Sequence, residues 1–202
     1  FIKVKVEVKA LNSQQIIARF SLSQTTERPT TIRFNAEKRA SAVMLPLLDL
    51  NDEAHLLLCK RPSYLLHHPG EICLPGGKYE EQDDTLMHTA LRELNEELNI
   101  GTHQVTVHGK LHQYATLTGF TIEPFVCVLS KGTTWQADPN EVAASFLLPI
   151  SHLSNQQNWQ PLPFERNGKT IILQGLMTPH GLLWGATASI INNFIKQLAL
   201  PV

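Results

Sequence analysis

The chain has 202 residues and a formal net charge of −1, and 43% of its residues are hydrophobic. This length and composition predict one globular domain with a buried core and exclude a disordered chain. A near-neutral charge also argues against nucleic-acid binding through a basic surface, which usually comes with a pI above about 9. The three cysteines are widely spaced and form no CxxC pair, so we expect neither a disulfide framework nor a cysteine zinc site.

Residues 1–37 are predicted to form an N-terminal arm, and residues 38–200 the main domain. Residues 2–8 alternate apolar and charged side chains as a β-strand does, and Ser23 to Thr31 reads as a polar loop. The strand pairs either with the domain's own sheet or with a second subunit, which would make a homodimer. No apolar run approaches the ~18 residues of a membrane span, and the first residues lack the pattern of a signal peptide. We therefore expect a cytoplasmic protein without a membrane partner.

The main domain shows strand patterns with few helices between them, which is typical of a mixed α/β fold. The predicted strands are Ala40–Leu50, His55–Lys60 after a turn at 51–53, Val105–Leu111, Thr121–Leu129 (interrupted at Pro124) and Thr170–Leu173. The predicted helices are Thr85–Leu98 and Ala186–Ala199. Pro62–Lys78 holds three prolines and three glycines, and is predicted to be a loop with a fixed backbone.

Charge is distributed unevenly along the chain. The segment from Glu80 to Glu97 has seven acidic residues and one arginine, a charge of −6, which leaves +5 for all other residues. On a helical wheel Glu93, Glu96 and Glu97 are neighbours, away from an apolar face formed by Met87, Leu91, Leu94 and Leu98. One interpretation is a solvated helix face. The other is a site for a hard divalent cation, because no basic residue four positions later offsets the repulsion, and the acids lie where the helix dipole disfavours them.

A glycine pair shortly before this helix favours the cation site. Gly76 and Gly77 allow the backbone to run close to a ligand, and Asp83 or Asp84 is placed to cap the helix. Glycines followed by an acid and then RExxEE at a fixed distance form a more specific pattern than any one of these features.

These residues resemble the box of the Nudix hydrolases, G-x5-E-x7-R-E-U-x-E-E-x-G-U, in which U is a bulky aliphatic residue. Residues 92–100 match its second half except at Asn99, which replaces the glycine and is the best substitute for it in a left-handed conformation. Asp83 stands at the position of the first glutamate, and the spacing from it to Arg92 is one residue longer than in the usual box. The resemblance implies an α/β/α sandwich with a mixed β-sheet.

The lengthened box is similar to that of the coenzyme A diphosphatase subgroup, in which a stretch like L-x-x-H-x-G-Q-V-x-F-P-G-G comes first. His68, Gly70 and residues 75–77 match that stretch. Three positions depart from it, namely Leu66, Glu71 and Leu74. The resemblance extends over about residues 38–198 and implies a small-molecule nucleotide substrate like coenzyme A.

The resemblance also implies roles for individual residues. A Mg²⁺ or Mn²⁺ ion is expected on Glu93 and Glu97, with Glu96 completing the site and a backbone carbonyl of Gly77 or Gly76 contributing. Arg92 either orients these carboxylates or makes an ordinary helix salt bridge. The general base is Glu93, Glu96 or Glu141, the last of which is otherwise a plain surface acid.

Substrate contacts are expected from residues flanking the glycine loop. Lys60, Arg61 and Lys78 are candidates for the phosphates, Gly76 for close backbone approach, and His68 either for a phosphate or for bracing the loop. Three functions stay open: a coenzyme A diphosphatase, a Nudix hydrolase for another nucleoside diphosphate derivative, and a catalytically silent Nudix-fold binding domain.

Overall fold

A computed structural model describes residues 10–24, 39–116, 119–166 and 168–198. Its helices are α1 (Ser13–Gln24), α2 (Leu86–Leu98), α3 (Ile150–Ser154) and α4 (Gly185–Leu198). Its strands are β1 (Arg39–Leu50), β2 (Glu53–Lys60), β3 (Ile72–Cys73), β4 (Gly76–Lys78), β5 (Val105–Lys110), β6 (Tyr114–Ala115), β7 (Phe120–Leu129), β8 (Ala144–Pro149), β9 (Trp159–Arg166), β10 (Lys169–Thr178) and β11 (Gly181–Leu183).

A mixed sheet of eight strands lies at the centre of the described residues. Its order is β3-β2-β1-β7-β5, with β4 also pairing with β1, β6 with β7 and β8 with β2. Strands β1 and β7 are parallel, from the Arg39–Phe120 pair to the Leu47–Val128 pair, and the other pairs are antiparallel. The predicted turn between β1 and β2 is present, with positive φ at Asn51 and Asp52, as a tight hairpin requires.

Helices cover both faces of this sheet. Helix α2 buries Ala90, Leu94 and Leu98 against one face, where Met44 and Leu57 are fully buried. Helices α1 and α4 pack on the other face, in a larger apolar cluster that includes residues of β1, β2 and β8. The predicted α/β fold with a mixed sheet is therefore confirmed. No helix of the described ranges is long and apolar enough to cross a membrane.

A second, three-stranded sheet follows the first along the chain. It is antiparallel with the order β11-β10-β9. Its buried side chains Trp159, Leu176 and Leu183 join the same apolar cluster as α4. The strand predicted over Thr170–Leu173 is longer in the structure, and β8, β9 and β11 were not predicted.

The described part of the N-terminal arm is helical and packs on the domain. Helix α1 buries Ile16 and Phe20, and the ring of Phe20 meets that of Phe194 edge-on at 5.9 Å. Ser13 begins the helix and donates from its backbone N and its Oγ to the carboxylate of Asp49, each at 2.7 Å. The predicted loop is wrong at Ser23 and Gln24, which belong to α1. The strand predicted over residues 2–8 and the rest of that loop lie outside the described residues.

Two predictions on strand continuity are also corrected. Strand β7 continues through Pro124, because Pro124 faces the gap between the ends of β5 and β6 and so needs no ladder donor there. The glycine-rich stretch that was predicted to be entirely loop contains β3 and β4. Its residues 76–78 pair with residues 41–43 of β1, which fixes the glycine pair in the sheet.

Candidate active site

Helix α2 carries the acidic residues, and both of its ends are defined by the sequence. Thr85 is the N-cap, and its Oγ1 accepts a hydrogen bond from the backbone N–H of His88. Asp83 and Asp84 do not cap the helix: Asp83 pairs with Arg92 and Asp84 with His88. At the other end Asn99 has a left-handed conformation (φ 54°), as expected for the residue that replaces glycine in the box.

Three carboxylates meet beside the C-terminal half of α2. Glu93, Glu97 and Glu141 each place one oxygen within 4.8 Å of the others. We call these three residues the carboxylate cluster. Glu93 and Glu97 were predicted as metal ligands and Glu141 as a candidate base, so the structure brings the two roles to one place. Glu96 is not a member of this cluster, and its half-exposed side chain accepts a hydrogen bond from the same Arg92 Nη1 that binds Glu93.

Glu97 is buried rather than solvent-facing. The residue is 2% exposed, and its Oε2 accepts a hydrogen bond from the backbone N–H of Gly76 at 3.1 Å. Burial raises the pKa of Glu97 to about 8, and the Gly76 N–H opposes this rise. The helical wheel was wrong here, because it placed Glu97 away from the core and Met87 within it. Met87 is 38% exposed, and the buried face of α2 is instead formed by Thr89, Ala90, Leu94, Glu97 and Leu98.

Gly77 is pressed against the carboxylate of Glu93. A Cβ atom at Gly77 would lie 2.1 Å from Oε1 of Glu93, so a side chain there would displace that carboxylate. Glu93 itself is largely buried, and its pKa is raised mainly by this burial. The glycine therefore makes room for a functional group on the helix.

Arg92 organises the acids around it. Its guanidinium binds Asp83 through two hydrogen bonds, donates to Glu93 and Glu96, and donates to the carbonyl of Lys78. These hydrogen bonds hold the pKa of the buried Asp83 well below its usual range. Such a two-pronged arrangement requires arginine and orients carboxylates on α2 against the glycine strand.

The loop that carries Glu141 is fixed to the end of α2. The backbone N–H groups of Gln136 and Asp138 donate to the carbonyls of Leu98 and Glu97 at 3.0 and 2.9 Å. The last carbonyls of a helix have no partner within it, so these bonds both cap α2 and dock the loop. Nothing in the local sequence signals this contact.

The predicted cationic side chains do not all face the carboxylate cluster. Arg61 acts electrostatically on Glu97 and on the Cys73 thiol, and its Nε has no hydrogen-bond partner among the described residues. Lys60 donates to the carbonyl of His180 at 2.8 Å. The Nζ of Lys78 is 5.9 Å from the centre of the Phe120 ring, and strand alternation puts this side chain on the face opposite Gly77 and Glu93.

His68 braces the loop that precedes β3. Its Nδ1 is 2.9 Å from Oε2 of Glu71, and its own φ is 54°. Glu71 is one of the positions that depart from the coenzyme A subgroup pattern, and here it supplies the partner of His68. Leu74, another departure, is buried, whereas Leu66 is 89% exposed.

The donor set fits a hard divalent cation. All three groups of the cluster are carboxylate oxygens, which Mg²⁺ and Mn²⁺ prefer. Two of them, Glu93 and Glu97, are largely buried with raised pKa values, so ionising all three acids calls for positive charge beyond that of Arg92 and Arg61. A cation on these oxygens would supply that charge.

Comparison with known proteins agrees with this chemistry. A family model described as the NUDIX domain matches residues 38–167. A protein of Enterobacter sp. (strain 638) named "Uncharacterized Nudix hydrolase NudL" is 32% identical over 96% of this chain and 99% of its own length. A protein of Cronobacter sakazakii with the same name is 32% identical over 98% of each chain.

Solved structures share the fold. A MutT/nudix family protein from Enterococcus faecalis superposes with a TM-score of 0.51 at 15% identity, covering 87% of this chain and 66% of that one. The Deinococcus radiodurans protein DR0079 gives a TM-score of 0.51 at 15% identity, covering 82% and 88%. The acidic site around Arg92 agrees with these matches. This chain belongs to the Nudix hydrolase family, as shown by the match to the family model and by relatives that align with it over nearly their whole length.

Proposed function

We propose that this chain hydrolyses the diphosphate bond of coenzyme A or its derivatives with Mg²⁺ or Mn²⁺, giving 4′-phosphopantetheine and adenosine 3′,5′-bisphosphate. The observation that carries metal-dependent hydrolysis is the carboxylate cluster. The choice of coenzyme A rests on the lengthened box and on the His68–Gly77 stretch that precedes it.

In this proposal Glu93 and Glu97 hold the cation, and the Gly77 carbonyl and Glu96 are further candidate ligands. When bound, a divalent cation supplies positive charge against the two phosphates and makes water a better nucleophile at neutral pH. Arg92 orients Glu93 through a hydrogen bond to its Oε1. Arg61 is the cationic side chain best placed to meet a phosphate next to Glu97, since its charge already acts on that carboxyl.

Glu141 is the base that the geometry favours. Glu93 and Glu96 each have a carboxylate oxygen engaged by Arg92, and Glu93 also holds the cation in this proposal, so both are less available to accept a proton from water. Glu141 is exposed and has an oxygen within 4.8 Å of the other two cluster residues. It is therefore within reach of a water that approaches the diphosphate from solvent.

A second candidate substrate class is another nucleoside diphosphate derivative. It is favoured by Leu66, an exposed apolar residue where the subgroup commonly has a basic one. The three unpaired thiols favour a reducing compartment, so we further propose that the enzyme acts in the cytoplasm.

The test is a substrate panel of coenzyme A, ADP-ribose, NADH and dGTP with Mg²⁺ or Mn²⁺, with products identified by mass. Release of 4′-phosphopantetheine from coenzyme A at the highest kcat/KM supports the proposal. Preference for ADP-ribose, NADH or dGTP supports the second class. Failure to turn over any of them, in a protein that still binds Mn²⁺, supports a silent binding domain.

A further inference from the structure

Two surface loops flank the carboxylate cluster, and a tyrosine joins them. The first runs from Pro62 to Glu71 and carries His68. The second is the turn Asp138–Glu141, which ends in the third residue of the cluster. Tyr64 projects from the first loop, and its hydroxyl lies 3.1 Å from the carbonyl oxygen of Pro139 and 3.2 Å from that of Asn140.

The first loop is a fixed support for this tyrosine. The carbonyl of Pro62 accepts from the N–H groups of Leu65 and Gly70, and His68 is tied to Glu71. The loop is also continuous with β2 and β3, which pair through Cys59 and Cys73. Both ends of the loop that carries Tyr64 are therefore held at the central sheet.

The second loop is anchored at both ends, since the backbone N–H of Ala143 also donates to the carbonyl of Lys60, while the middle of the turn faces solvent. The backbone N–H of Asp138 donates to the backbone carbonyl of Glu97, and the Asp138 carbonyl accepts from the N–H groups of Glu141 and Val142. This anchors the turn on α2. On the solvent side Glu141 is exposed, and the carbonyls of the two residues before it point to Tyr64.

We propose that Tyr64 is a positioning residue that holds the Asp138–Glu141 turn, and with it the Glu141 carboxylate, at the carboxylate cluster. Because it assigns Glu141 to the metal and catalytic site, this inference rests on the proposed function. Tyr64 touches neither cation nor substrate in this role. It acts through the backbone of the turn, so its effect disappears when Glu141 is no longer a carboxylate.

The experiment is a double-mutant cycle on the full chain with Tyr64→Phe, Glu141→Gln and the double variant. Mn²⁺ affinity is measured by titration, and kcat/KM is measured on the best substrate of the panel. Tyr64 is 70% exposed, and Tyr64→Phe removes only the hydroxyl, so folding is expected to be unaffected. A matched control is Tyr114→Phe, which removes a hydroxyl 3.4 Å from Ser189 Oγ, on α4.

We expect Tyr64→Phe to weaken Mn²⁺ binding and to lower kcat/KM by about three- to tenfold, the range of one exposed hydrogen bond to a carbonyl. In the Glu141→Gln background the same change is expected to have no further effect. Tyr114→Phe should match the unmodified protein.

Three results would overturn the inference: no effect of Tyr64→Phe, an equal effect with and without Glu141, or unchanged Mn²⁺ affinity in Glu141→Gln. A protein that hydrolyses nothing in the panel would refute the proposed function instead. The Mn²⁺ cycle would still decide the role of Tyr64 in that case.

Discussion

Arg92 and Asp83 form a bidentate ion pair, with Nε 3.0 Å from Oδ1 and Nη2 3.0 Å from Oδ2. Asp83 is 5% exposed and also accepts from the hydroxyl of Thr89 at 2.8 Å. Hydrogen bonds from Arg92 and Thr89 therefore both hold the Asp83 carboxylate. Nη1 of Arg92 remains to bind Glu93 and Glu96. The acid at the lengthened box position therefore positions the arginine rather than capping the helix.

Replacing Arg92 by lysine should separate charge from geometry. Lysine keeps the positive charge, but it cannot make the two parallel bonds to Asp83 while also reaching Glu93. We expect kcat or Mn²⁺ affinity to fall by about 10- to 100-fold, as is typical when a partner of a metal ligand is lost. Arg19→Lys is the control, because Arg19 donates to the Leu198 carbonyl at the end of α4. Activity equal to that of the unmodified enzyme would show that charge alone suffices.

Glu97 and Glu96 are adjacent in sequence and should differ in effect. Glu97 is buried within the carboxylate cluster, whereas Glu96 is half exposed and bound to Arg92. Glu97→Gln is expected to lower kcat by several orders of magnitude with the fold retained, and Glu96→Gln to cause a much smaller loss. Steady-state kinetics and a thermal melt of each variant provide the measurement. Equal losses would instead support Glu96 as a metal ligand.

Alanine at the two glycines of β4 should have different effects, one on Mn²⁺ binding and the other on stability. The three atoms nearest to a Cβ at Gly77 would all belong to the side-chain carboxylate of Glu93, which can shift, so Gly77→Ala should fold but bind Mn²⁺ weakly. A Cβ at Gly76 would lie 2.3 Å from the backbone oxygen of Ala42, and Gly76 has a φ of 151°. Gly76→Ala should therefore lower the free energy of unfolding by about 1–3 kcal/mol.

Urea unfolding and Mn²⁺ titration of both glycine variants distinguish the two effects. The assignment is wrong if Gly77→Ala is the less stable variant, or if it binds Mn²⁺ as the unmodified protein does.

Stability in the absence of metal should fall as the pH rises from about 4.5 to about 8. The ordinary pKa of a glutamate is 4.5, and burial raises that of Glu97 to about 8 in the folded protein. Between these values the folded protein holds a proton that the unfolded chain has released, so raising the pH favours unfolding. Glu93 contributes with the same sign, because its pKa is also raised. Asp83 acts with the opposite sign, but only in more acidic solution, because its pKa is lowered.

Denaturant unfolding in EDTA at several pH values measures this slope. Glu97→Gln should flatten it, while the exposed Glu81→Gln should leave it unchanged. Mg²⁺ should raise the stability most at high pH, because a cation binds the deprotonated carboxylates. A slope that Glu97→Gln leaves intact would contradict the assignment.

Much of the central domain follows from local sequence patterns. Helix α2 was predictable because its apolar residues recur with helical spacing, and Asn99 ends it as the box position requires. Strands β1, β2 and β7 were predictable from their continuous apolar residues. Helix α1 was missed, because its sequence SQQIIARFSLSQ mixes polar and apolar residues with only a weak helical period. Its helical conformation depends on packing against α4, which the local sequence does not show.

The site was predictable as a set of residues but not as a geometry. The helical wheel placed Glu97 outside the core, because a wheel of α2 alone does not include the Gly76 N–H that approaches from strand β4. The contact of Glu141 with the cluster likewise depends on backbone hydrogen bonds between segments distant along the chain. The two-residue strand β3 and the three-residue strand β4 are too short for a periodic signal, and only pairing with their neighbours defines them.

The docking of residues 136–138 on the end of α2 has an evolutionary consequence. Both bonds are made by backbone N–H groups, so the side chain at position 136 is free to vary without moving the anchor, whereas the Asp138 carboxylate also accepts two hydrogen bonds from Asn140 within the turn. The chain between Leu98 and Gln136, which forms β5 to β7, does not set the distance from Glu141 to Glu97 either. Relatives are therefore expected to accept insertions in the loops of this interval while the distance between the acids at positions 97 and 141 stays constant.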